Sequence, residues 1–301
     1  MKHLYRLLLA ALLAASGTPA MAALKVFASV PEWGALVTEL GGNKVDVYLA
    51  STALQDPDFL QAKPSLMARS RNADLLIFTG ASWEIGWLPI LLRDSGNARI
   101  QPGAAGNFEA SQYVRMPEVP TQVDRSGGDI HPGGNPHIVY DPHNVALVAD
   151  ALVKRLTELD PANAAFYVAR HKAFSERWSA AIAKWEEKAA PLKGVSVVVQ
   201  HKAYPYLLQW LGMKQIGTLE PIPGVEPTTS QLTEILHKLE REPAKMILRP
   251  PYLSERPSAW LNERTKIPVV VLPQTVGGSE QAKDLFGLFD DTIQRLLAAL
   301  K

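Results

Sequence analysis

Hydrophobic and polar positions follow two periods that alternate along most of the chain. Short runs rich in valine, isoleucine and leucine are followed by stretches in which apolar residues recur every three or four positions. The first pattern predicts a buried strand and the second an amphipathic helix. Because the two patterns alternate, we predict an α/β protein built of βαβ units, whose parallel sheets are covered by helices on both faces.

The alternation assigns the chain to two similar halves. Within the first half, the stretch 102–142, rich in Gly, Pro, Asp and Asn, predicts a functional loop or a disordered segment. Strands are predicted over 25–29, 45–50, 73–80 and 99–101 in the first half, and over 196–200, 215–219, 245–248 and 268–272 in the second. Helices are predicted over 33–40, 64–72, 87–93, 144–159, 204–211, 229–242, 258–265 and 280–300, in addition to one long helix.

This long helical pattern begins at Asp160-Pro161, residues typical of an N-cap and the first helical position, and continues for about 30 residues. At 1.5 Å per residue the helix is roughly 45 Å long, more than one lobe needs. We therefore predict a rigid connector over 160–191 between an N-terminal lobe (23–159) and a C-terminal lobe (192–301). Its apolar face is predicted at Tyr167, Phe174, Trp178, Ala181 and Trp185.

The N-terminus has the features of an export signal. Lys2 and Arg6 precede an apolar stretch that is too short to span a bilayer comfortably, and Ala20-Met21-Ala22 matches the small-x-small cleavage pattern. We predict a signal peptide over 1–22, with an uncleaved membrane anchor as the alternative. The mature protein is then expected in a bacterial periplasm.

Composition narrows the chemistry further. The chain has no cysteine, which excludes disulfides, Cys-ligated zinc, iron–sulfur clusters, a thiol nucleophile and a lipidated N-terminal cysteine. Without residues 1–22, 29 Lys and Arg residues face 30 Asp and Glu residues. Such a balance provides no basic face for nucleic acid. We therefore expect a protein with no lipid anchor and no nucleic-acid partner.

Polar residues suited to metal binding cluster where the predicted strands end. Ligands of open parallel sheets bind beyond the carboxyl ends of the strands. Neutral imidazole together with carboxylate oxygens suits Zn²⁺, Mn²⁺ or a similar first-row ion. The candidates in chain order are Asp58, Glu84, Asp129, His131, His137, His201, Glu220 and Gln274.

Several of these residues also fit a purely structural role. Asp58 stands before a predicted helix and could be its N-cap. Glu84 could cap the turn that follows it, and Glu220 could be a turn residue. His171 and His237 lie on charged helical faces and are predicted to be solvated. The aromatic residues predicted to belong to the core are Trp83, Trp87 and Tyr204.

Four sequence segments occur in an order that is known from one protein family. They are Asp56-Pro57-Asp58 with Lys63-Pro64-Ser65, Asn135-Pro136-His137 with Tyr140-Asp141-Pro142-His143-Asn144, Gln200-His201 with Tyr204 and Tyr206, and Gly224-x-Glu226-Pro227-Thr228. In this combination, over nearly the whole mature chain, they resemble the metal-specific solute-binding proteins of bacterial ABC importers for zinc and manganese. The resemblance implies two α/β lobes joined by one long helix, with the metal ion in the cleft between them.

The resemblance also implies a ligand set, from which this chain departs twice. The family usually has a histidine at position 58 and commonly an aspartate near position 274, where this chain has Asp and Gln. A carboxylate in place of an imidazole makes the site richer in oxygen and shifts its preference away from nitrogen-rich zinc coordination. The predicted ligands are Asp58, His137, His201 and Glu220. The alternatives to Glu220 for the last position are Glu84, His131 and Gln274.

The predicted function is capture of a divalent Zn²⁺ or Mn²⁺ ion and its delivery to an ABC permease. A monomer without enzymatic activity is expected, and a periplasmic metallochaperone is a further partner to consider. Two alternatives stay open. An exported metal-dependent hydrolase would need an open coordination position and a general base, and no G-x-S-x-G or P-loop motif is present. A protein of the same clam-like fold that binds chelated iron or a vitamin would need an aromatic or basic cleft.

Overall fold

Two four-stranded parallel sheets form the centre of the protein. The computed structural model describes residues 22–116, 131–222 and 224–301. The first sheet has the order β2-β1-β3-β4 and consists of β1 (Leu24–Ala28), β2 (Val45–Leu49), β3 (Leu75–Phe78) and β4 (Asn107–Glu109). The second has the order β6-β5-β7-β8 and consists of β5 (Ser196–Val199), β6 (Lys214–Thr218), β7 (Met246–Arg249) and β8 (Val269–Val271).

Helices connect the strands and cover the sheets. The helices of the first half are α1 (Pro31–Gly41), α2 (Pro64–Ser70), α3 (Leu88–Ser95) and α4 (Pro142–Leu159). After the connector α5 (Ala164–Ala189), those of the second half are α6 (Pro205–Leu211), α7 (Thr229–Arg241), α8 (Arg256–Thr265) and α9 (Leu285–Ala298). The predicted α/β class and two-lobe arrangement are confirmed.

The inner strands of each sheet are buried on both faces, as the apolar runs predicted. Along β1, Val26 and Ala28 belong to one core cluster whereas Phe27 belongs to another on the opposite face. Successive side chains of a strand point to opposite faces, so a strand with apolar residues at every position must be covered twice. The carboxyl ends of the strands are therefore the places where polar side chains lie without entering either core.

The connector α5 is 26 residues long and packs through its predicted aromatic face. Tyr167, Phe174, Trp178 and Trp185 are buried, and Ala181 is partly buried. The Trp185 ring stacks on Phe289 of α9, with 4.9 Å between centroids. The same core cluster contains residues of both sheets, so one continuous apolar interior joins the two lobes.

Two local predictions were wrong. Residues 99–101 form no strand: Ala98–Ile100 is a 3₁₀ turn, because the side chain of Asn97 accepts a hydrogen bond from the backbone N–H of Arg99 at 3.1 Å. The strand that lies beside β3 at this edge of the sheet is β4 (Asn107–Glu109) instead. Asp160 does not cap an α-helix: it precedes a 3₁₀ turn, and its carboxylate accepts bonds from Asn163 and Tyr167, both at 2.7 Å.

In the part of the chain that the structure describes, no helix is long and apolar enough to cross a membrane. The predicted signal peptide, except for Ala22, lies outside the described residues, and so does Asp129. The lobe boundaries proposed from the sequence remain a prediction.

Candidate metal site

His201 and Glu220 meet at the carboxyl end of the second sheet. His201 follows β5 by two residues, and Glu220 follows β6 by two residues. Because β5 and β6 are neighbouring parallel strands, the two side chains emerge side by side. Nδ1 of His201 lies 2.9 Å from Oε2 of Glu220, whose side chain is only 6% exposed. The carboxylate accepts the Nδ1 proton, and this leaves the Nε2 lone pair of His201 for a metal ion.

His137 reaches the same place from the first half of the chain. It is buried, and its Nδ1 lies 2.9 Å from Oδ1 of Asn135. The amide of Asn135 is itself oriented, because its Nδ2 donates a hydrogen bond of 2.7 Å to the backbone carbonyl of Lys202. An amide oxygen can only accept, so His137 also carries its proton on Nδ1 and presents Nε2. Asn135 thus links the His137 segment to the residue that follows His201.

The two imidazole rings lie 5.7 Å apart, centroid to centroid, at an angle of 67°. A third histidine, His131, lies close enough for its charge to affect His137. Burial, followed by the charges of His201 and His131, holds the pKa of His137 well below its usual value. Burial and the charge of His201 lower the pKa of His131 to about 4. His131 and His137 are therefore neutral at pH 7, the form in which imidazole binds metals.

Asp58 lies next to this group and is not a helix cap. The residue that caps the 3₁₀ turn Pro57–Phe59 is Asp56, which accepts the backbone N–H of Asp58 at 3.1 Å. The carboxylate of Asp58 accepts a hydrogen bond of 3.0 Å from the indole N–H of Trp83, and the same Oδ2 lies 3.9 Å from Nε2 of His131. The capping alternative for Asp58 is therefore wrong.

Of the alternatives to Glu220, His131 is the one that lies beside Asp58. Glu84 is buried and accepts hydrogen bonds from the Ser29 hydroxyl and from the backbone N–H groups of Thr79 and Gly80, at 2.8, 2.8 and 3.0 Å. These bonds hold it within the first lobe. Oε1 of Gln274 is buried, and among the described residues it has no hydrogen-bond partner.

Sequence reasoning missed three residues of this site, namely Asn135 as an orienting partner, Trp83 as a hydrogen-bond donor, and Tyr252. Burial, and then the charges of Asp56, Asp58 and Glu220 among others, raise the pKa of Tyr252 well above its usual value. The phenol therefore stays protonated between acidic groups of both lobes. The Asn-Pro-His spacing was the only signal available for Asn135. In the described ranges, no three His, Asp or Glu side chains are already arranged to hold an ion.

The model of the family described as "Zinc-uptake complex component A periplasmic" matches residues 26–299. The chain belongs to this family. Its description is that of a component of an uptake complex, and not of an enzyme.

Curated relatives include proteins named for each of two metals. The chain is 21% identical to the manganese ABC transporter substrate-binding lipoprotein PsaA of Streptococcus pneumoniae, over 87% of this chain and 83% of that protein. It is 28% identical to the high-affinity zinc uptake system protein ZnuA of Brucella abortus, over 55% of this chain and 48% of that protein. Several of the relatives are named lipoproteins, whereas this chain has no cysteine.

Solved structures share the fold. A crystal structure of ZnuA has a TM-score of 0.76 at 21% identity, covering 93% of this chain and all of that chain. A manganese-bound mutant of the periplasmic metal-binding protein from Candidatus Liberibacter asiaticus has a TM-score of 0.75 at 18% identity, covering 92% of this chain and all of that chain. These likenesses support the two-lobe architecture, with its central helix, that the sequence predicted.

Proposed function

We propose that this protein captures a divalent transition-metal ion, zinc or manganese, between its two lobes and delivers it to the permease of an ABC importer. The observation that carries the proposal is the pair His137 and His201. These residues come from different lobes, each has Nδ1 engaged by an oxygen acceptor, and their rings are 5.7 Å apart. Imidazoles held through Nδ1 by an oxygen acceptor are characteristic of metal sites.

The ligands we propose are His137, His201 and Asp58, with His131 supported as the fourth by its proximity to Asp58 and His137. Glu220 as a direct ligand stays a prediction. Its contact with Nδ1 of His201 supports an orienting role, because an ion on Nε2 lies on the far side of the ring. Three imidazoles and one carboxylate suit zinc and also manganese, and relatives named for both metals are consistent with either cargo.

The location and the partners belong to the same proposal. The N-terminal sequence pattern and the family description support a periplasmic protein. A diacylglyceryl anchor is attached through a cysteine thiol, so a chain without cysteine favours a form that is not lipid-anchored. We propose that the protein acts as a monomer, with the importer permease as its main partner and a periplasmic metallochaperone as a candidate donor of the ion.

Metal binding by the exported protein tests this function. Elemental analysis of protein purified from a periplasm is expected to give about one first-row ion per chain. After treatment with a chelator, adding Zn²⁺ or Mn²⁺ is expected to raise the melting temperature by several degrees, because the ion binds only the folded state. Melting that is unchanged by both ions would overturn the proposal. Metal-dependent hydrolysis of ester, phosphate or peptide substrates would favour an enzyme instead.

A further inference from the structure

One aromatic side chain contacts two of the proposed ligands at once. The indole N–H of Trp83 donates a hydrogen bond of 3.0 Å to Oδ2 of Asp58. The Trp83 ring also packs against the imidazole of His137, with 5.1 Å between centroids and 51° between the planes. Trp83 itself is only 2% exposed, and its partner Asp58 is 18% exposed, so both contacts are largely shielded from solvent. Asp58 and His137 are 79 positions apart in the sequence, and Trp83 lies between them.

The backbone that carries Trp83 is held in an unusual conformation. Gly80, Ala81 and Ser82 all have positive φ angles, of 83°, 53° and 71°. Only glycine adopts this region without cost, so Ala81 and Ser82 are strained unless their surroundings hold them. The Glu84 carboxylate accepts the backbone N–H of Gly80, and Glu109 accepts that of Ala81 at 3.3 Å.

This turn also fixes the next segment of the site. A Cβ atom on Gly133 would lie 2.8 Å from Cα of Ala81, so the backbone of Gly133 packs directly on the turn. Gly133 follows His131 by two residues. A backbone hydrogen bond with Ser82 contributes to the environment of His131. The strained turn therefore sets the position of Trp83 and supports the segment that carries His131.

We propose that Trp83 is the positioning residue of the metal site: its N–H orients the Asp58 carboxylate while its ring fixes the plane of His137. This inference rests on the proposed function. Hydrogen-bonded partners of metal ligands are worth about 10- to 100-fold in metal affinity. An indole N–H is a donor only and cannot bind a cation, so Trp83 acts through Asp58 and His137.

Trp87 provides a matched control. It is also a buried tryptophan, and its N–H donates a hydrogen bond of 3.1 Å to the backbone carbonyl of Pro57, next to Asp58. Trp87→Phe and Trp83→Phe therefore each remove one buried indole hydrogen bond to the same loop. Only Trp83→Phe removes a bond to a proposed ligand.

The experiment measures the affinity of chelator-treated protein for Zn²⁺ and Mn²⁺ by competition titration, together with the change in tryptophan fluorescence on binding. Trp83→Phe is expected to weaken binding about tenfold and to lose most of the metal-induced fluorescence change. Trp87→Phe is expected to stay within about twofold and to keep that change. In an Asp58→Ala background, Trp83→Phe should weaken binding by much less than tenfold, because the indole can then act only through its ring.

Three results would overturn the role of Trp83: wild-type affinity in Trp83→Phe, equal losses in both tryptophan variants, or an undiminished loss in the Asp58→Ala background. If Trp83→Phe does not fold, replacing Trp83 with 3-benzothienylalanine removes the N–H and retains the ring shape, with the same expected loss. A wild-type protein that binds neither ion would overturn the proposed function and this inference with it, so the two failures are distinguishable.

Discussion

One hydrogen-bond acceptor for each of His137 and His201 determines which ring nitrogen is free to bind a metal ion. The Nδ1 atoms of His137 and His201 are both engaged, one by an amide oxygen and the other by a carboxylate. This arrangement fixes the tautomer and the ring plane before any ion arrives, so less ordering is needed on binding. Burial also keeps His137 neutral by lowering its pKa, so a proton is a weak competitor for Nε2 at pH 7.

His137→Ala and His201→Ala are each expected to weaken Zn²⁺ and Mn²⁺ binding at least tenfold with the fold intact, because each removes a proposed coordination bond. Asp58→Ala is expected to weaken binding about as much as His137→Ala. Competition titration with a chromophoric chelator measures the affinities, and circular dichroism checks the fold. The control is His171→Ala. His171 lies on α5 with its Nε2 2.8 Å from Oδ1 of Asp150, and its replacement should leave metal affinity unchanged. An equal loss in His171→Ala would place the site elsewhere.

Two variants of Glu220 separate an orienting residue from a ligand. Glu220→Gln keeps an oxygen acceptor for Nδ1–H of His201, so binding is expected to fall only a few-fold. Glu220→Ala removes the acceptor and should cost about 10- to 100-fold in affinity, more than Gln274→Ala. Isothermal titration with Zn²⁺ measures all three. Losses of similar size in Glu220→Gln and Glu220→Ala would instead make Glu220 a direct ligand.

At the scale of elements, the turn between β3 and α3 carries Trp83, which contacts both Asp58 and His137. Glu84 is the acceptor for three buried donors, two of which are the backbone N–H groups of Thr79 and Gly80 at the end of β3. A buried donor left without an acceptor costs about 1–3 kcal/mol. The carboxylate that the sequence offered as an alternative metal ligand therefore has a structural role, which is to hold the left-handed turn before Trp83.

Glu84→Leu is expected to lower the free energy of unfolding by about 3 kcal/mol or more, because it leaves all three donors unpaired. Glu109→Ala serves as the comparison variant: Glu109 accepts one backbone N–H of the same turn at 3.3 Å, and its other two bonds, both of 2.9 Å, come from the side chains of Ser111 and Gln112. Water can replace Glu109 at these part-buried and exposed side chains, so its loss should cost only about 1 kcal/mol. Urea denaturation in the presence of a chelator measures both. Similar costs in the two variants would mean that Glu84 does not hold the turn.

Much of the fold was accessible from the sequence, because the inner strands β3, β5 and β7 are buried on both faces and are therefore almost wholly apolar. The prediction failed where this signal is weakest. β4 has one apolar residue between two polar ones, and the apolar Ile100 belongs to a turn. For the candidate site, strand ends and motif spacing indicated His137, His201 and Asp58, whose roles as ligands stay predictions. The contacts of Trp83 with Asp58 and His137 were not predictable, since the residue types at 81 and 82 do not indicate the positive φ angles that position this turn.

At the scale of the whole molecule, one of the buried hydrogen bonds between the lobes involves a carboxyl group. Glu32 of α1 is 1% exposed and accepts a hydrogen bond of 2.5 Å from the hydroxyl of Thr275, which follows β8 in the second lobe. Burial raises the pKa of Glu32 to about 7, and the nearby carboxylate of Glu84 adds to the effect. The continuous core and the packing of α5 hold the lobes together around this contact. We therefore expect small loop movements on metal binding, and no wide opening.

Titration of the Glu32 carboxyl should make the free energy of unfolding depend on pH. The pKa of Glu32 is about 7 in the folded protein and 4.5 in the unfolded chain. Below about pH 4.5 the carboxyl is therefore neutral in both states, and its contribution to stability is fully present. That contribution is lost as the pH rises through 7, by about 3 kcal/mol in all. The lowered pKa of His131 has the opposite effect on stability. As the pH falls from 6.5 to about 4, the unfolded chain takes up a proton that the folded protein does not, and the free energy of unfolding decreases. A comparison of wild type with Glu32→Gln cancels the histidine contribution.

Glu32→Gln keeps an acceptor for the Thr275 hydroxyl and cannot ionise. Relative to wild type it is therefore expected to gain about 3 kcal/mol in free energy of unfolding between pH 4.5 and pH 8, with most of the gain between pH 5 and pH 7.5. Urea denaturation of the metal-free protein at half-unit pH intervals measures the difference. Thr275→Val removes the hydrogen bond that favours the ionised form, so the loss of stability in that variant should extend to higher pH. A difference between Glu32→Gln and wild type that stays constant from pH 4.5 to pH 8 would mean that Glu32 does not titrate there, and that the contact between the lobes is not sensitive to pH.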